Sequence, residues 1–233
     1  MKFEVDFKIF DKFQGLNIGV VIAKGADNTG TSQEIINSIR EKGKEIRENF
    51  DTKTLSQNPK IDVWRKAYST FGAKPKDNLC SVENLYRLVL KGADVRHISK
   101  LVDIYNFISL KHMVPLGGED LDKIHGNIRL TFAGANEPPV LLLGDKDERP
   151  PHEGEVIYKD EISAVCRRFN WREADRTKFT KQTKNAILVA EGLLTTEDDI
   201  REIANELKEA VQKHCGGRTF SFVLNKSNPE IEF

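Results

Sequence analysis

Apolar residues recur three and four positions apart along much of the first half of the chain, the spacing of a helix with one buried side. Residues 31–49 place Ile35, Ile36, Ile39 and Ile46 on that side. Residues 61–71 carry Val63, Trp64, Ala67 and Phe71 in the same rhythm. Residues 81–91 carry Val82, Leu85, Leu88 and Val89, and stop at Gly92. Residues 99–112 carry Leu101, Val102, Tyr105, Ile108 and Leu110. All four predict helices. Before them, residues 2–10 and 16–23 read as strands joined by a turn near Gly15, and 51–60 reads as a polar linker.

The second half changes period. Residues 127–133, 139–143, 154–160 and 162–168 are short and β-leaning, separated by Gly, Pro and Asp. The run Ile187-Leu188-Val189 makes 185–193 a buried strand. A charged helix is expected at 196–214, opened by Thr196 and closed by Gly216 and Gly217. A last strand follows at 218–225, and the tail 226–233 is expected to be loose. The sum is an α+β fold, a mixed β-sheet core flanked by helices. A single domain is expected over 1–233, with 1–60 a strand and helix extension and 61–225 the core.

Composition narrows the classes without naming a function. The hydrophobic share of 39% and charged share of 31% suit a globular chain and exclude a disordered or fibrous one. No apolar run is long enough to span a bilayer, and the first residues lack the continuous apolar core of a secretion signal. A cytoplasmic protein with no membrane partner is expected. Cys80, Cys166 and Cys215 are far apart, so neither a disulfide framework nor a cysteine metal site is expected. A net charge of +0 argues against DNA and predicts weak affinity for bulk RNA, while leaving contact with a short single-stranded end open.

Nucleophile elbow, P-loop, dinucleotide and HExxH motifs are all absent. The histidines, at positions 97, 112, 125, 152 and 214, show no metal-ligand spacing, and neither metal nor cofactor is expected. Three polar clusters remain. Asp103, Asn106 and Ser109 share one helix face, which is either solvated or part of a site. The stretch 115-PLGGEDLD-122 is either a turn, with Asp120 capping a short helical turn at 121–124, or a wall whose Gly117 and Gly118 let the backbone approach a ligand. In that second case Glu119 and Asp120 would bind an amine, a hydroxyl or a water. The third cluster is 166-CRRFNWRE-173. Arg167 and Arg168 must point to opposite faces of a strand, so one faces inward and needs a carboxylate or phosphate partner. Asn170 and Trp171 add an amide and a ring able to stack.

The blocks VDIYNFISLKHMVPLGGEDLDKI, GNIRLTFAGANE, GEVIYKDEISAVCRR and TKNAILVAEGL resemble, in order and spacing, the tRNA-binding and editing domain of the phenylalanyl-tRNA synthetase beta subunit. They resemble its free-standing relatives more closely still. The likeness runs from about Ile61 to Leu193. It implies an α+β domain whose pocket receives the aminoacylated 3′ end of a tRNA, with side chains that position a water against the ester.

Within that resemblance Asn106 matches a pocket asparagine, preceded by threonine in the synthetase and by Tyr105 here. Pro115 and Leu116 match a Pro-Leu pair that the synthetase follows with a pocket histidine, where this chain has Gly117. The synthetase's side-chain-reading carboxylate falls on Val189 or, after a shift, Glu191. Its glycine-rich loop is replaced by FNWRE. Specificity for tyrosine is therefore not carried over, nor is phenylalanine–tRNA ligase activity.

The implied function is a trans-acting aminoacyl-tRNA deacylase. Its catalytic set would be Asn106, Glu119 and Asp120; its substrate-binding set would be Tyr105, Gly117, Gly118, Arg167, Arg168, Asn170, Trp171 and Glu191. One of the paired arginines would hold a terminal phosphate and Trp171 would stack. Two alternatives stay open: a non-catalytic module that binds tRNA, an amino acid or another small ligand, and a hydrolase or lyase acting on a free amine-bearing metabolite.

Overall fold

The computed structural model describes residues 1–233. Strand β1 (Lys2–Val5) leads into a short helix, α1 (Phe7–Lys12), because the Asp6 side chain accepts the Lys8 N–H and caps it. The strand expected over 2–10 therefore ends early. Ile9, Phe10 and Phe13 fall on one helical face and are buried, while Phe7 is left exposed. Strand β2 (Asn17–Lys24) follows, and then α2 (Gln33–Asn49), capped by Ser32. Helices α3 (Pro59–Thr70), α4 (Ser81–Leu90) and α5 (Lys100–His112) stand where the apolar spacing put them. Asn58 caps α3 with Pro59 at its first position.

The rest of the chain is mostly strand: β3 (Leu116–Asp120), β4 (Ile128–Phe132), β5 (Val156–Lys159), β6 (Ala164–Arg167), β7 (Arg172–Glu173) and β8 (Ala186–Gly192). Helix α6 (Glu197–Cys215) is capped by Thr196 and ends at Gly216. Strands β9 (Arg218–Leu224) and β10 (Glu230–Glu232) close the chain. The tail expected to be loose thus supplies a strand that pairs antiparallel with β1. Residues 139–143 form only isolated bridges, Val140 to Arg149 and Leu142 to Ala174.

Two sheets result. A 6-stranded sheet runs β10-β1-β4-β5-β6-β7, with β1 and β4 parallel. A 4-stranded sheet runs β3-β8-β2-β9 and is antiparallel throughout. The fold is α+β, with one mixed and one antiparallel sheet. Strands β1 and β2 occupy interior positions in the two sheets, so the first residues are woven into the core rather than appended to it. One hydrophobic cluster reaches from Phe3 to Leu224 and joins both sheets to the helices.

Helix α6 lies tightly on β2. A Cβ at Gly19 would sit 3.0 Å from Ala204 Cβ and 3.1 Å from the Ile200 carbonyl oxygen. Gly19→Val is expected to push the helix off the sheet and to lower unfolding free energy by about 1–3 kcal/mol. A urea titration with an unchanged slope would measure it.

Candidate functional site

Residues from α4, α5 and both sheets surround a cavity of about 320 Å³. That lies at the small end of ligand pockets, about the scale of one amino-acid-sized group. Helix α5 contributes Tyr105, Asn106 and Ser109, β3 contributes Leu116 through Glu119, and β8 contributes Ile187, Val189 and Glu191. Residues 169–173 and Tyr158 line the cavity as well, and α4 adds the polar Ser81 and Asn84.

Three carboxyls face this space, and they differ in how they are held. Glu191 is fully bonded: the Tyr158 hydroxyl donates to its Oε1 at 2.5 Å and Asn170 Nδ2 donates to its Oε2 at 2.6 Å. The Tyr68 hydroxyl donates in turn to Asn170 Oδ1 at 2.9 Å, which fixes the amide. Burial outweighs these bonds and pushes the Glu191 carboxyl up to about 7. Glu173 accepts the Gly118 N–H at 3.2 Å. Part of its surface opens onto the cavity, but protein surrounds it, and that desolvation pushes it up to about 7. Glu119 is buried and its Oε2 has no hydrogen-bond partner. Burial first, and the neighbouring Glu173 charge second, hold its carboxyl well above the ordinary range.

Glycine at position 118 is a packing requirement, whereas at 117 a side chain would displace the Glu173 carboxyl. A Cβ on residue 117 would lie 2.8 Å from Glu173 Oε1, and one on residue 118 would lie 2.5 Å from the Ile187 carbonyl oxygen and 2.8 Å from the Phe179 ring. The expected glycine loop is therefore a strand pressed against its neighbours, with the Glu173 carboxyl seated where a side chain at 117 would stand.

The sequence-derived set divides in the structure. Tyr105, Asn106, Gly117, Gly118, Glu119, Asn170, Trp171 and Glu191 are brought together around the cavity. Asp120, Arg167 and Arg168 are not among its lining residues. Asp120 caps the short turn Leu121–Lys123 through the Asp122 N–H and accepts the Thr183 hydroxyl at 2.6 Å. Asp120→Ala is expected to cost about 1 kcal/mol of stability through the lost cap while leaving the cavity's chemistry in place. Comparing melting temperature with turnover in that variant would show it.

Arg167 is buried, but not through the expected alternation: β6 ends at Arg167, and Arg168 turns so that its Nε lies 3.5 Å from the same carboxylate, Glu155, that Arg167 bonds. Nε and Nη2 of Arg167 each bond Glu155 at 2.8 Å, a buried bidentate pair rather than a phosphate site. Arg168 has a left-handed backbone, φ 51, and bonds Asn78. Its guanidinium lies 4.3 Å from the centre of the Trp171 ring, and that of Arg172 lies 4.4 Å away. The stacking capacity of Trp171 is thus used within the protein. Ser109 lines the cavity and donates to the Val114 carbonyl, while Asp103 pairs with His97 on another side of α5.

Among the lining residues that the sequence reading did not select are Tyr158 and Glu173. Tyr158 had no local signal beyond its strand. Glu173 stood in a quoted block, but its role depends on the missing side chain at Gly117, which is distant in sequence. Glu191 did carry a signal: it shares a strand face with Ile187 and Val189 at period two.

Fold and lining together define a two-sheet α+β domain with a cavity lined by apolar side chains and by a set of carboxyls and amides. The chain belongs to the B3/4 domain family, whose model matches residues 63–213. It is 29% identical over 118 residues to the phenylalanine–tRNA ligase beta subunit of Fusobacterium nucleatum, a match covering 51% of this chain and 14% of that protein. It is 37% identical over 76 residues to the corresponding subunit of Leifsonia xyli, covering 33% and 9%. With that of Pseudomonas fluorescens the identity is 44% over 57 residues, covering 24% and 7%. The matched stretches thus span 14% or less of these three relatives' length. A solved N-terminal fragment of the phenylalanyl-tRNA synthetase beta subunit from Pyrococcus horikoshii aligns with 95% of this chain and 53% of its own, at 14% identity and a TM-score of 0.46. No helix is long and apolar enough to cross a membrane.

Proposed function

We propose that this chain is a trans-acting deacylase that takes the aminoacylated 3′ end of a tRNA into the cavity and hydrolyses the ester, working in the cytoplasm. The observation that supports it best is the convergence of Asn106, with an amide unbonded inside the protein, and Glu173 on a space the size of one amino acid, within a B3/4 family segment.

Asn106 orients the water or the ester carbonyl. Glu173 takes a proton from the water as its oxygen bonds the carbonyl carbon. The tetrahedral intermediate then collapses, the bond to the ribose oxygen breaks, and the proton passes to that oxygen. Glu119 receives the α-ammonium group on its Oε2, a buried carboxyl oxygen that has no hydrogen-bond partner. The Glu191, Tyr158 and Asn170 network forms the rigid wall against the amino-acid side chain.

A base must be ionised to accept a proton. Since Glu173 is pushed up to about 7, kcat/KM is expected to rise with pH through that value. Glu173→Gln should lower the plateau by orders of magnitude, whatever step Glu191, also pushed up to about 7, leaves in the profile. A pH–rate profile on a panel of mischarged and correctly charged tRNAs tests this. A plateau that is not lowered in the variant would remove Glu173 from the role of base.

A second reading, a binding module without turnover, is favoured by the lack of any histidine in the lining and by the complete internal bonding of Glu191. A flat deacylation panel together with saturable amino-acid binding would establish it.

A further inference from the structure

Helix α2 carries charges of both signs, and they are sorted by face. Arg40, Lys44 and Arg47 line a second cavity, of about 360 Å³, whereas Glu41, Glu45 and Glu48 do not. Positions 40, 44 and 47 form one stripe, spaced as helical neighbours. The ion pairs that α2 makes are Lys42–Glu45 and Glu34–Lys213, so none of the three groove cations is neutralised by one. Like charges one turn apart repel, and an unpartnered set of this kind is stabilised by an anion between them.

The opposite wall comes from the loop after α4 and from the first turns of α5. His97 stands there with its Nδ1 2.6 Å from Asp103 Oδ2, which leaves Nε2 without a protein partner. Two acids, Asp94 and Asp103, also line the groove. Asp103 is buried, with Oδ2 on His97 and Oδ1 without a partner, so Asp94 and Asp103 together face three cations that no ion pair neutralises. Ile36, Ile39 and Val89 make the floor apolar, which weakens screening there. Arginine is well suited to phosphate oxygens through its planar donors.

We propose that this groove is a phosphate-binding site. Residues 40 to 47 span roughly 10 Å of helix, longer than one phosphate group, and this favours backbone phosphates of a single RNA strand over a small phosphomonoester. The groove joins α2, which precedes the family match at 63–213, to residues within it. It does not depend on ester hydrolysis in the first cavity.

The test uses the full chain, inorganic phosphate, and a short single-stranded RNA that carries no amino acid. His97 side-chain resonances are followed by NMR, and RNA affinity is followed by anisotropy against salt. Phosphate and RNA are both expected to move the His97 resonances, and Arg40→Ala/Arg47→Ala should weaken both effects roughly tenfold or more while leaving measurable RNA binding. The slope of log affinity against log salt should fall by about 0.7 for each cation removed. Glu41→Ala/Glu48→Ala, on the other face, should leave the slope in place, and equal melting temperatures would show that the arginine variant is folded. A response to phosphate without RNA binding would keep the phosphate site and overturn the strand as its source. No response to either probe, or an unchanged salt slope in the arginine variant, would overturn the proposal.

Discussion

Asn106→Ala is expected to lower ester hydrolysis by about 10²–10³-fold in kcat, the usual loss when a preorganised donor to a reacting oxygen is removed. The Asn106 side chain lines the cavity, half-buried, and no other protein group bonds its amide. Its neighbours on α5 are packed, with Ile104 and Ile108 fully buried, so truncation should leave the helix in place. The loss should therefore fall on kcat with little change in melting temperature. Single-turnover deacylation, compared with wild type at one pH, separates chemistry from binding. An unchanged rate would remove Asn106 from the mechanism. A change confined to KM would move it to substrate binding and favour the binding-module reading.

Glu155→Leu is expected to destabilise the fold by about 3–5 kcal/mol, because it leaves Arg167 charged and unpaired in the interior and also removes the carboxylate that faces Arg168 and accepts the His152 N–H. Both side chains are nearly sealed from solvent, at 5% and 2% exposure, and their contact is bidentate. For a chain of this size that loss lowers Tm by roughly 10 °C. The double variant Glu155→Leu/Arg167→Met should recover most of it, since an apolar pair of similar volume needs no partner. Thermal and urea unfolding of the two singles and the double closes the cycle. A single-variant loss under about 1 kcal/mol would mean that water reaches the pair, and would reopen Arg167 as a group available to a ligand.

Helices were the most legible part of the sequence. Apolar spacing located α3, α4 and α5 to within a residue or two, since each buries one face against the rest of the fold. Strand β8 was legible for a related reason, being buried on both faces. The failures were of two kinds. In the first ten residues the alternation of Lys2 to Val5 ran into a helix with similar residues, and only the capping role of Asp6 distinguishes the two. Strands β3 and β10 owe their existence to partners far along the chain, β8 and β1, so no local pattern announces them. Gly117 and Gly118 read as a turn because the glycines that mark turns also mark strands under close approach.

The candidate site divides along the same line. Asn106, Glu119 and Asn170 were legible as polar groups interrupting apolar stretches. The split between Asp120, a cap, and Glu119, a cavity carboxyl, turned on one residue of strand register. Glu173 depended on the room left by a glycine on another strand.

Strand β2 lies between β8 and β9, yet both it and β9 fall outside the segment that the family model covers. A fragment trimmed to 63–213 would keep only β3 and β8 of the 4-stranded sheet. The buried rungs of β8 that face β2, from Ala186 to Gly192, would become an open, apolar edge and a template for self-association. The stretch most readily matched by sequence is therefore not the piece that can be excised, and the smallest sound unit for transplantation into another protein must carry both flanks.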